Sequence, residues 1–193
     1  MPRAGLSTAS VICEAADLAD EIGYDALTLT ALASRLNVAV PSLYKHVGSL
    51  HDLRRGVALL AVGELGAVLR AALDHRESCT PTSGLHELAA AYRRYVLDHP
   101  GRYAATVRAA PAADHELKAA GDAAVRTVLD ALETCGSRGD DLVHAARALR
   151  AALHGFVSLE AAGGFALPQD VDRSFEWMVE NFEDGLAARI DRT

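Results

Sequence analysis

The chain of 193 residues has few cysteines and few aromatic side chains. Its three cysteines, Cys13, Cys79 and Cys135, are far apart and odd in number, so neither a disulfide framework nor the paired spacing of a zinc site is visible. No uncharged apolar run reaches the length of a membrane span. The first ten residues lack the apolar core of a signal peptide. We therefore expect a cytoplasmic protein with reduced thiols and no membrane partner.

The sequence also lacks the short motifs of common enzyme classes. HExxH, paired ExxH, GxSxG and a Gly-rich phosphate loop are absent. His144 and His154 are about three helical turns apart and cannot share a metal ion without other ligands. We expect no catalytic activity, no cofactor and no metal. A small-molecule-binding enzyme and a helical adaptor that binds only protein are the alternatives to the function developed below.

Helical periodicity runs along the whole chain, and no alternating strand pattern appears. Segments rich in Pro, Gly and hydroxyl side chains separate about nine helices, with a loop at 78–84. Beyond residue 48 the predicted helices are 49–75, 85–98, 102–109, 112–134, 140–162 and 170–190. The sequence therefore predicts an all-α fold.

The most informative pattern lies in residues 27–47, which read as two short helices joined by a tight turn. An apolar stripe that includes Leu32 and Leu36 marks the first helix over 28–36. The hydroxyl of Thr28 or Thr30 is suited to cap its start. Asn37 tolerates the left-handed conformation that ends a helix.

The second helix of this pair is very short and leaves polar side chains on its surface. Pro41 fits the first turn of a helix, where its missing N–H costs nothing. Leu43 and Val47 are four apart and are expected to face the core. The side chains that remain point outward and can reach phosphate oxygens or base edges. They are Ser42, Tyr44, Lys45 and His46.

Residues 7–60 resemble the DNA-binding domain of the TetR family of bacterial transcriptional repressors. The resemblance is carried by Thr28-Leu29-Thr30, Leu32-Ala33, Leu36, Val38, the run PSLYKHV at 41–47, and the preceding Val11, Ala15, Leu18, Ala19 and Gly23-Tyr24. It implies a three-helix helix-turn-helix domain over 1–50, followed by an effector-binding and dimerisation domain over 51–193. It also implies a homodimeric repressor that binds a pseudo-palindromic operator and is released by a small-molecule effector.

The resemblance further implies which residues contact DNA. Tyr44 and His46 would bond phosphates, and Lys45 a phosphate or a guanine. Thr30 stands where the family often has Arg, and Leu50 where it commonly has Lys. Arg54 and Arg55, one turn further on, are expected to replace that phosphate contact. The complete predicted set is Thr28, Thr30, Val40, Pro41, Ser42, Tyr44, Lys45 and His46.

A net charge of −7 opposes DNA binding unless the charges are segregated. Five of the six acids in residues 1–60 precede residue 28. Residues 28–60 hold four permanent cations and one acid, a balance of +3. The predicted DNA-facing segment is therefore basic, although less so than in many DNA-binding proteins.

The C-terminal part resembles a TetR subfamily named for a Trp-His-Gly motif, with Leu153 in place of the Trp. The similarity rests on His154-Gly155-Phe156 and Gly163-Gly164-Phe165 and reaches from about residue 85 to 182. Gly155 in mid-helix suggests close approach of another helix or of a ligand, although a packing glycine is an equal alternative.

The last two long helices are predicted to form the dimer, because the final helix is more apolar than one neighbour requires. The predicted interface residues are Leu153, Val157, Phe175, Met178, Phe182 and Leu186. An effector pocket is expected between helices of the C-terminal part, where tyrosines offer an apolar face with one polar atom. Its candidate lining, which core packing would explain equally well, is Tyr92, Tyr95, Tyr103, Val107, Leu129, His154 and Phe156.

Overall fold

The protein is described by a computed structural model that covers residues 6–74 and 83–190. Within these ranges it consists of nine α-helices and one 3-10 turn, and no strand occurs there. The helices are α1 (Thr8–Ile22), α2 (Leu29–Leu36), α3 (Val40–Leu43), α4 (Leu50–Asp74), α5 (Ser83–Asp98), α6 (Pro100–Thr106), α7 (His115–Thr134), α8 (Gly139–Ala161) and α9 (Val171–Ile190), with the 3-10 turn at Tyr24–Ala26. The all-α prediction is confirmed.

The described residues divide into two compact units that do not follow the chain order. Residues 6–64 and 98–121 form one, called here the helix-turn-helix unit, and residues 65–97 with 122–190 form the second unit. The predicted boundary after residue 50 therefore does not coincide with the division by compactness. A segment from the middle of the chain belongs to the same unit as the first three helices.

The helix-turn-helix unit has an apolar core built from α1 to α4. Fully buried leucines from four different elements meet in it, and Ala15 of α1 is packed among them. These leucines are Leu27, Leu32, Leu43 and Leu53. At about 2 kcal/mol per buried leucine side chain, this cluster is the main support for a unit whose helices are short.

Helix α6 packs against α1 without intervening side chains at Gly101. A Cβ atom built on this glycine would overlap the backbone carbonyl group of Ala19, so no other residue fits there. Asp20 of α1 caps α6 from outside, since its Oδ1 accepts the N–H of Arg102 at 2.8 Å. The Arg102 guanidinium, which is nearly buried, also pairs with Asp20 Oδ2 at 2.6 Å and with Asp17.

The second unit is held together by the apolar faces of α5, α8 and α9. Leu88 of α5, Val157 of α8 and Val179 of α9 are among its fully buried side chains. Arg93 of α5 links the three helices: it bonds Glu160 Oε2 at 2.8 Å, and its guanidinium lies 4.9 Å from the ring centre of Phe175. The Arg93 guanidinium therefore forms both an ion pair and a cation–π contact.

The predicted helix limits agree with the structure to within a few residues. Pro100 begins α6, although the sequence analysis placed it in the break before that helix. Helix α7 begins at His115 because Asp114 Oδ1 accepts the N–H of Leu117 at 3.1 Å. Most of the predicted loop at 78–84 lies outside the described residues, and α5 already begins at Ser83.

Helix α4 is long and apolar enough by composition to span a membrane. Leu53, Val57, Ala61, Leu65 and Leu69 repeat at helical spacing along it and are buried inside the protein. A helix of this kind is typical of a protein core, and its composition alone is weak evidence for a membrane segment.

Candidate DNA-binding surface

The turn between α2 and α3 has the backbone geometry that the sequence predicts. Asn37 adopts the left-handed conformation, with φ of 53°. Its N–H donates to the carbonyl of Ser34 at 3.1 Å, and the N–H of Val38 donates to that of Ala33 at 3.0 Å. Thr28 Oγ1 caps the other end of α2 by accepting the N–H of Ala31 at 3.1 Å. The predicted cap and stop of this helix are confirmed.

The side chains around α3 separate into a buried and an exposed set, as predicted. Leu43 is fully buried and Val47 nearly so, which fixes this short helix against the core. Tyr44 is 54% exposed, and Lys45 is exposed as well. Ser42 and His46 are half-buried.

The outward side chains of α3 and of the turn after it, residues 44–46, have no hydrogen bond within the described part of the chain. These side chains are Ser42, Tyr44, Lys45 and His46. The backbone carbonyl of His46 accepts a hydrogen bond from Thr8 Oγ1 at 3.2 Å. That bond ties the segment after α3 to the first turn of α1. The surface therefore offers donors on a fixed backbone.

The other predicted DNA contacts lie on the same unit. Thr30 and Pro41 are exposed, Val40 is half-buried, and the hydroxyl of Thr28 is already used as the cap of α2. Ala39, which the sequence analysis did not select, is also exposed and occupies the N-cap position of α3. Its position directly before Val40 and Pro41 is the sequence feature from which Ala39 could have been predicted as a candidate DNA contact.

Two of the arginines counted in the basic segment are paired with acids of their own unit. Arg35 contacts Glu14 at 3.1 Å and Glu21 at 2.8 Å, and these hydrogen bonds raise the pKa of Arg35. Arg55 contacts Asp114 at 2.6 Å and also pairs with Glu116. Hydrogen bonds from Arg55 and then from the Leu117 N–H hold the pKa of Asp114 below its usual value.

The expectation that Arg54 and Arg55 replace a missing lysine is not supported. Arg54 donates from the same nitrogen to the carbonyls of Asp25 at 2.9 Å and Leu27 at 3.0 Å, while Arg55 is held by the acids just described. Both guanidinium groups secure the turn regions of this unit. Lys45 is left as the permanent cation of residues 28–60 for which the structure describes no partner.

Helix α4 begins with a side-chain cap beside this surface. Ser49 Oγ donates to Asp52 Oδ2 at 2.8 Å and accepts the N–H of Asp52 at 3.1 Å. Leu50 is half-buried and packs against the core of the unit.

The candidate effector residues do not all fall in one compact unit. Tyr103 and Val107 belong to the helix-turn-helix unit with α6, whereas the other five belong to the second unit. Tyr92 and Tyr95 are buried among the apolar residues of α5. Phe156 packs against Phe165 and Phe175, with ring centres 4.8 and 5.3 Å apart. Leu129 and His154 are half-buried, and His154 Nδ1 is 3.4 Å from Ser158 Oγ.

A groove of about 640 Å³ lies between the first half of α8 and the second half of α9. None of the seven predicted effector residues lines it, but two of the predicted dimer residues, Phe182 and Leu186, do. His144 and Ala148 face it from α8, and Gly185 faces it from α9. The sequence analysis missed these three positions.

Most of the predicted dimer residues are already covered within a single chain. Leu153, Val157, Phe175 and Leu186 are each at most 9% exposed, so their side chains have almost no surface left for a partner. Met178 and Phe182 are half-buried. The apolar stripe that suggested an interface is in large part the interior face of α8 and α9. The exposed large apolar side chains of these two helices include Leu159 of α8 and Trp177 of α9.

Both parts of the chain match known family models. A model described as bacterial regulatory proteins of the tetR family matches residues 3–54, and a model described as the tetracyclin repressor-like C-terminal domain matches residues 85–182. The chain is 36% identical to an uncharacterised HTH-type transcriptional regulator of Mycobacterium tuberculosis over 96% of its own length and 84% of the relative's.

Solved structures share the fold over nearly the whole chain. A protein of unknown function from Rhodococcus sp. RHA1 is 27% identical, with a TM-score of 0.79 over 97% of this chain and 99% of that one. A TetR variant from Acinetobacter baumannii AYE, determined in complex with minocycline, is 24% identical, with a TM-score of 0.70 over 95% and 98% of the two chains. The second likeness concerns the fold alone.

Proposed function

Since this chain belongs to the TetR family and is a DNA-binding transcriptional regulator, we propose that it is a repressor that binds a pseudo-palindromic operator as a homodimer and is released by a small-molecule effector. The observation that carries the DNA-binding part is the pair of exposed side chains Tyr44 and Lys45 beside the half-buried Ser42 and His46. Ser42 stands on α3 and the other three residues follow it in the next turn, and no side-chain partner for them is found among the described residues. Packing does not explain this set, whereas phosphate contact does. A regulator of chromosomal DNA works in the cytoplasm, which is the location we propose.

We propose a dimer through an exposed face of α8 and α9 rather than through the buried residues of the sequence prediction. Helical spacing places Ala148, Gly155 and Leu159 of α8 on one face, and Trp177 with Gly185 on the corresponding face of α9. Trp177 is 62% exposed and Leu159 52%. These residues are called the α8/α9 face below.

The glycines of the α8/α9 face support a helical partner. A Cβ atom on Gly155 or Gly185 would meet nothing within 4 Å inside the chain. A glycine in the middle of a helix costs about 1 kcal/mol relative to alanine, so its presence without a neighbour in the same chain has no internal benefit. Close approach of the backbone of a second copy would provide such a benefit. Two copies of α8 and α9 would then form a four-helix contact.

The effector is proposed to bind in the second unit and to weaken DNA binding by linkage. The TetR variant of Acinetobacter baumannii AYE was determined in complex with minocycline, and we propose by analogy of fold that a small organic molecule is the ligand here. A ligand that binds better to the dimer whose DNA-binding helices are wrongly spaced must lower operator affinity by the same factor. Helix α4, which contributes residues to both units, is the proposed connection.

The proposal is tested by selecting bound duplexes from a random DNA pool with the purified protein at moderate salt. Recovery of a site with two related halves one helical turn apart is expected, because a two-fold dimer places two recognition helices in successive major grooves. No enrichment, together with no retention of any duplex at low salt, would contradict DNA binding and favour the protein-binding adaptor. Enrichment of single half-sites would contradict the dimer alone.

The effector part needs a separate measurement. Compounds that raise the melting temperature of the protein are added to the protein bound to its selected duplex, and the dissociation constant is measured again. At least one stabilising compound is expected to weaken the complex. Unchanged affinity with every stabilising compound would remove the linkage mechanism.

A further inference from the structure

The surface at the start of α3 has no group that can read a base through a pair of hydrogen bonds. Three consecutive residues, Ala39, Val40 and Pro41, are apolar, and the first and third are exposed. Val40 is half-buried because part of its side chain packs against the core of the unit. Arginine, lysine, asparagine and glutamine, the side chains that form paired bonds with bases, are absent from positions 39–42.

Ala39 is also an unusual choice for the position that it occupies. It is the N-cap residue of α3, and no side-chain bond caps this helix. Alanine is among the poorest N-cap residues, whereas Ser, Thr, Asp and Asn are preferred. Ser7 and Thr28 follow this preference at α1 and α2, whereas His99 and Arg138, the N-cap residues of α6 and α8, form no side-chain cap bond either. At α3 the alanine leaves the N-cap position without a polar side chain and adds to the exposed apolar surface at the start of the helix.

The major groove offers one apolar feature that such a surface can contact. In a helix-turn-helix, the N-terminal residues of the second helix face the base edges. Thymine presents a C5 methyl group in that groove, and apolar side chains recognise it by contact. The donors of residues 44–46, which follow α3, are suited to hold the phosphates on either side.

We propose that Ala39, Val40 and Pro41 read the operator through thymine methyl groups, so that each half-site carries thymine where these residues meet the groove. This inference rests on the proposed function, since it assigns the mode of base recognition to the same surface. Ser42 is the hydroxyl nearest to this apolar segment and would add at most one hydrogen bond to a base edge.

The test uses the selected duplex with deoxyuridine in place of thymine, one position at a time. This change removes the methyl group and leaves base pairing and the protein untouched. At one or two positions in each half-site, binding is expected to weaken about fourfold, which is what about 0.8 kcal/mol for a buried group of this size amounts to at 1.4 kcal/mol per tenfold. Replacement of any other thymine by deoxyuridine is expected to leave the affinity unchanged.

Protein variants identify the residues involved. In Val40→Ala and Pro41→Ala the preference for thymine over deoxyuridine is expected to fall towards one at the position that the altered residue meets. Tyr44→Phe is the matched control: it should weaken both duplexes and keep their ratio. The proposal is overturned by equal affinity for thymine and deoxyuridine at every position, by a selected half-site without thymine, or by ratios that neither variant changes. Failure to select any duplex would instead contradict the proposed function, and this inference with it.

Discussion

At the scale of single residues, the charge that faces DNA is smaller than the sequence count indicates. Residues 28–60 contain four permanent cations, but Arg35 and Arg55 are paired with acids and Arg54 donates to backbone carbonyls. Lys45 is exposed, and we propose it as the cation that contacts a phosphate. Hydroxyl, phenol and imidazole groups must then supply much of the binding, which lowers the dependence on salt relative to a more basic protein.

Lys45→Ala is therefore expected to change the salt dependence of DNA binding. If Lys45 neutralises one phosphate, the slope of log K against log salt becomes shallower by about one. The measurement is the dissociation constant of the selected duplex at several salt concentrations. Arg35→Ala is the control, since that guanidinium is already engaged by Glu14 and Glu21 and should leave the slope unchanged. Equal slopes for Lys45→Ala and wild type would refute the phosphate role.

Glu183 of α9 is expected to affect the stability of the fold in a way that depends on pH. Its Oε1 is buried without a hydrogen-bond partner, and burial, opposed by His86, raises the pKa of this carboxyl. A carboxyl whose pKa is higher in the folded state contributes stability below its unfolded pKa and loses it as pH rises through the folded value. At neutral pH the ionised group is therefore unfavourable.

Glu183→Gln is expected to raise the melting temperature at pH 7 by a few degrees, the order of change that about 1 kcal/mol causes in a chain of this size. Below about pH 4 the difference should disappear, because the wild-type carboxyl is then protonated in both states. Thermal unfolding at the two pH values measures this. Glu180→Gln, on the exposed side of the same helix and 3.7 Å from Arg173, should not show the gain. A lower melting temperature for Glu183→Gln at pH 7 would contradict this account.

At the scale of helices, the contact of α6 with α1 depends on one missing side chain. Gly101→Ala would force the backbones of α6 and α1 apart, and overpacking of this kind costs at least about 2 kcal/mol. Chemical denaturation monitored by circular dichroism should show the loss. Gly63→Ala in α4 is the matched control, because a Cβ there meets open space and should stabilise the helix by up to about 1 kcal/mol. Similar stability of the two variants would mean that α6 does not pack on α1 in this way.

The sequence was most informative where helices are defined by their own residues. The Thr28 cap, the left-handed Asn37 and the buried Leu43 follow from local rules, and all three are found. The docking of α6 could not be predicted in this way, because Gly101 and Arg102 have their partners in α1, some eighty residues earlier. Local rules contain no information about such pairs.

Apolar spacing also failed to separate the interior of the chain from an interface. Leu153 and Phe175 follow the helical spacing expected of either, and the structure places both inside the protomer. The exposed Trp177, together with Leu159, is instead the basis of the interface proposed above.

At the scale of the whole molecule, Trp177→Glu is expected to disrupt the dimer. If two copies meet through the proposed α8/α9 face, a charge at position 177 would be buried there without a partner, so dissociation should occur at a concentration at least tenfold higher than for the wild type. Sedimentation over a dilution series measures this. Val125→Glu, which alters an exposed valine on α7, is the control and should stay dimeric. A dimer of unchanged affinity in Trp177→Glu would place the interface elsewhere.

The helix-turn-helix unit is discontinuous in the chain, and this affects the order in which the protein can be made. Helices α1 to α3 leave the ribosome first, but Asp17 and Asp20 can pair with Arg102, and the backbone at Ala19 can pack against Gly101, only after α6 has been synthesised. A chain released after residue 60 would carry every predicted DNA contact on an incompletely supported unit. We therefore expect prematurely terminated products to bind the operator more weakly than the full chain, because they lack the α6 contacts that hold Asp17 and Asp20 of α1.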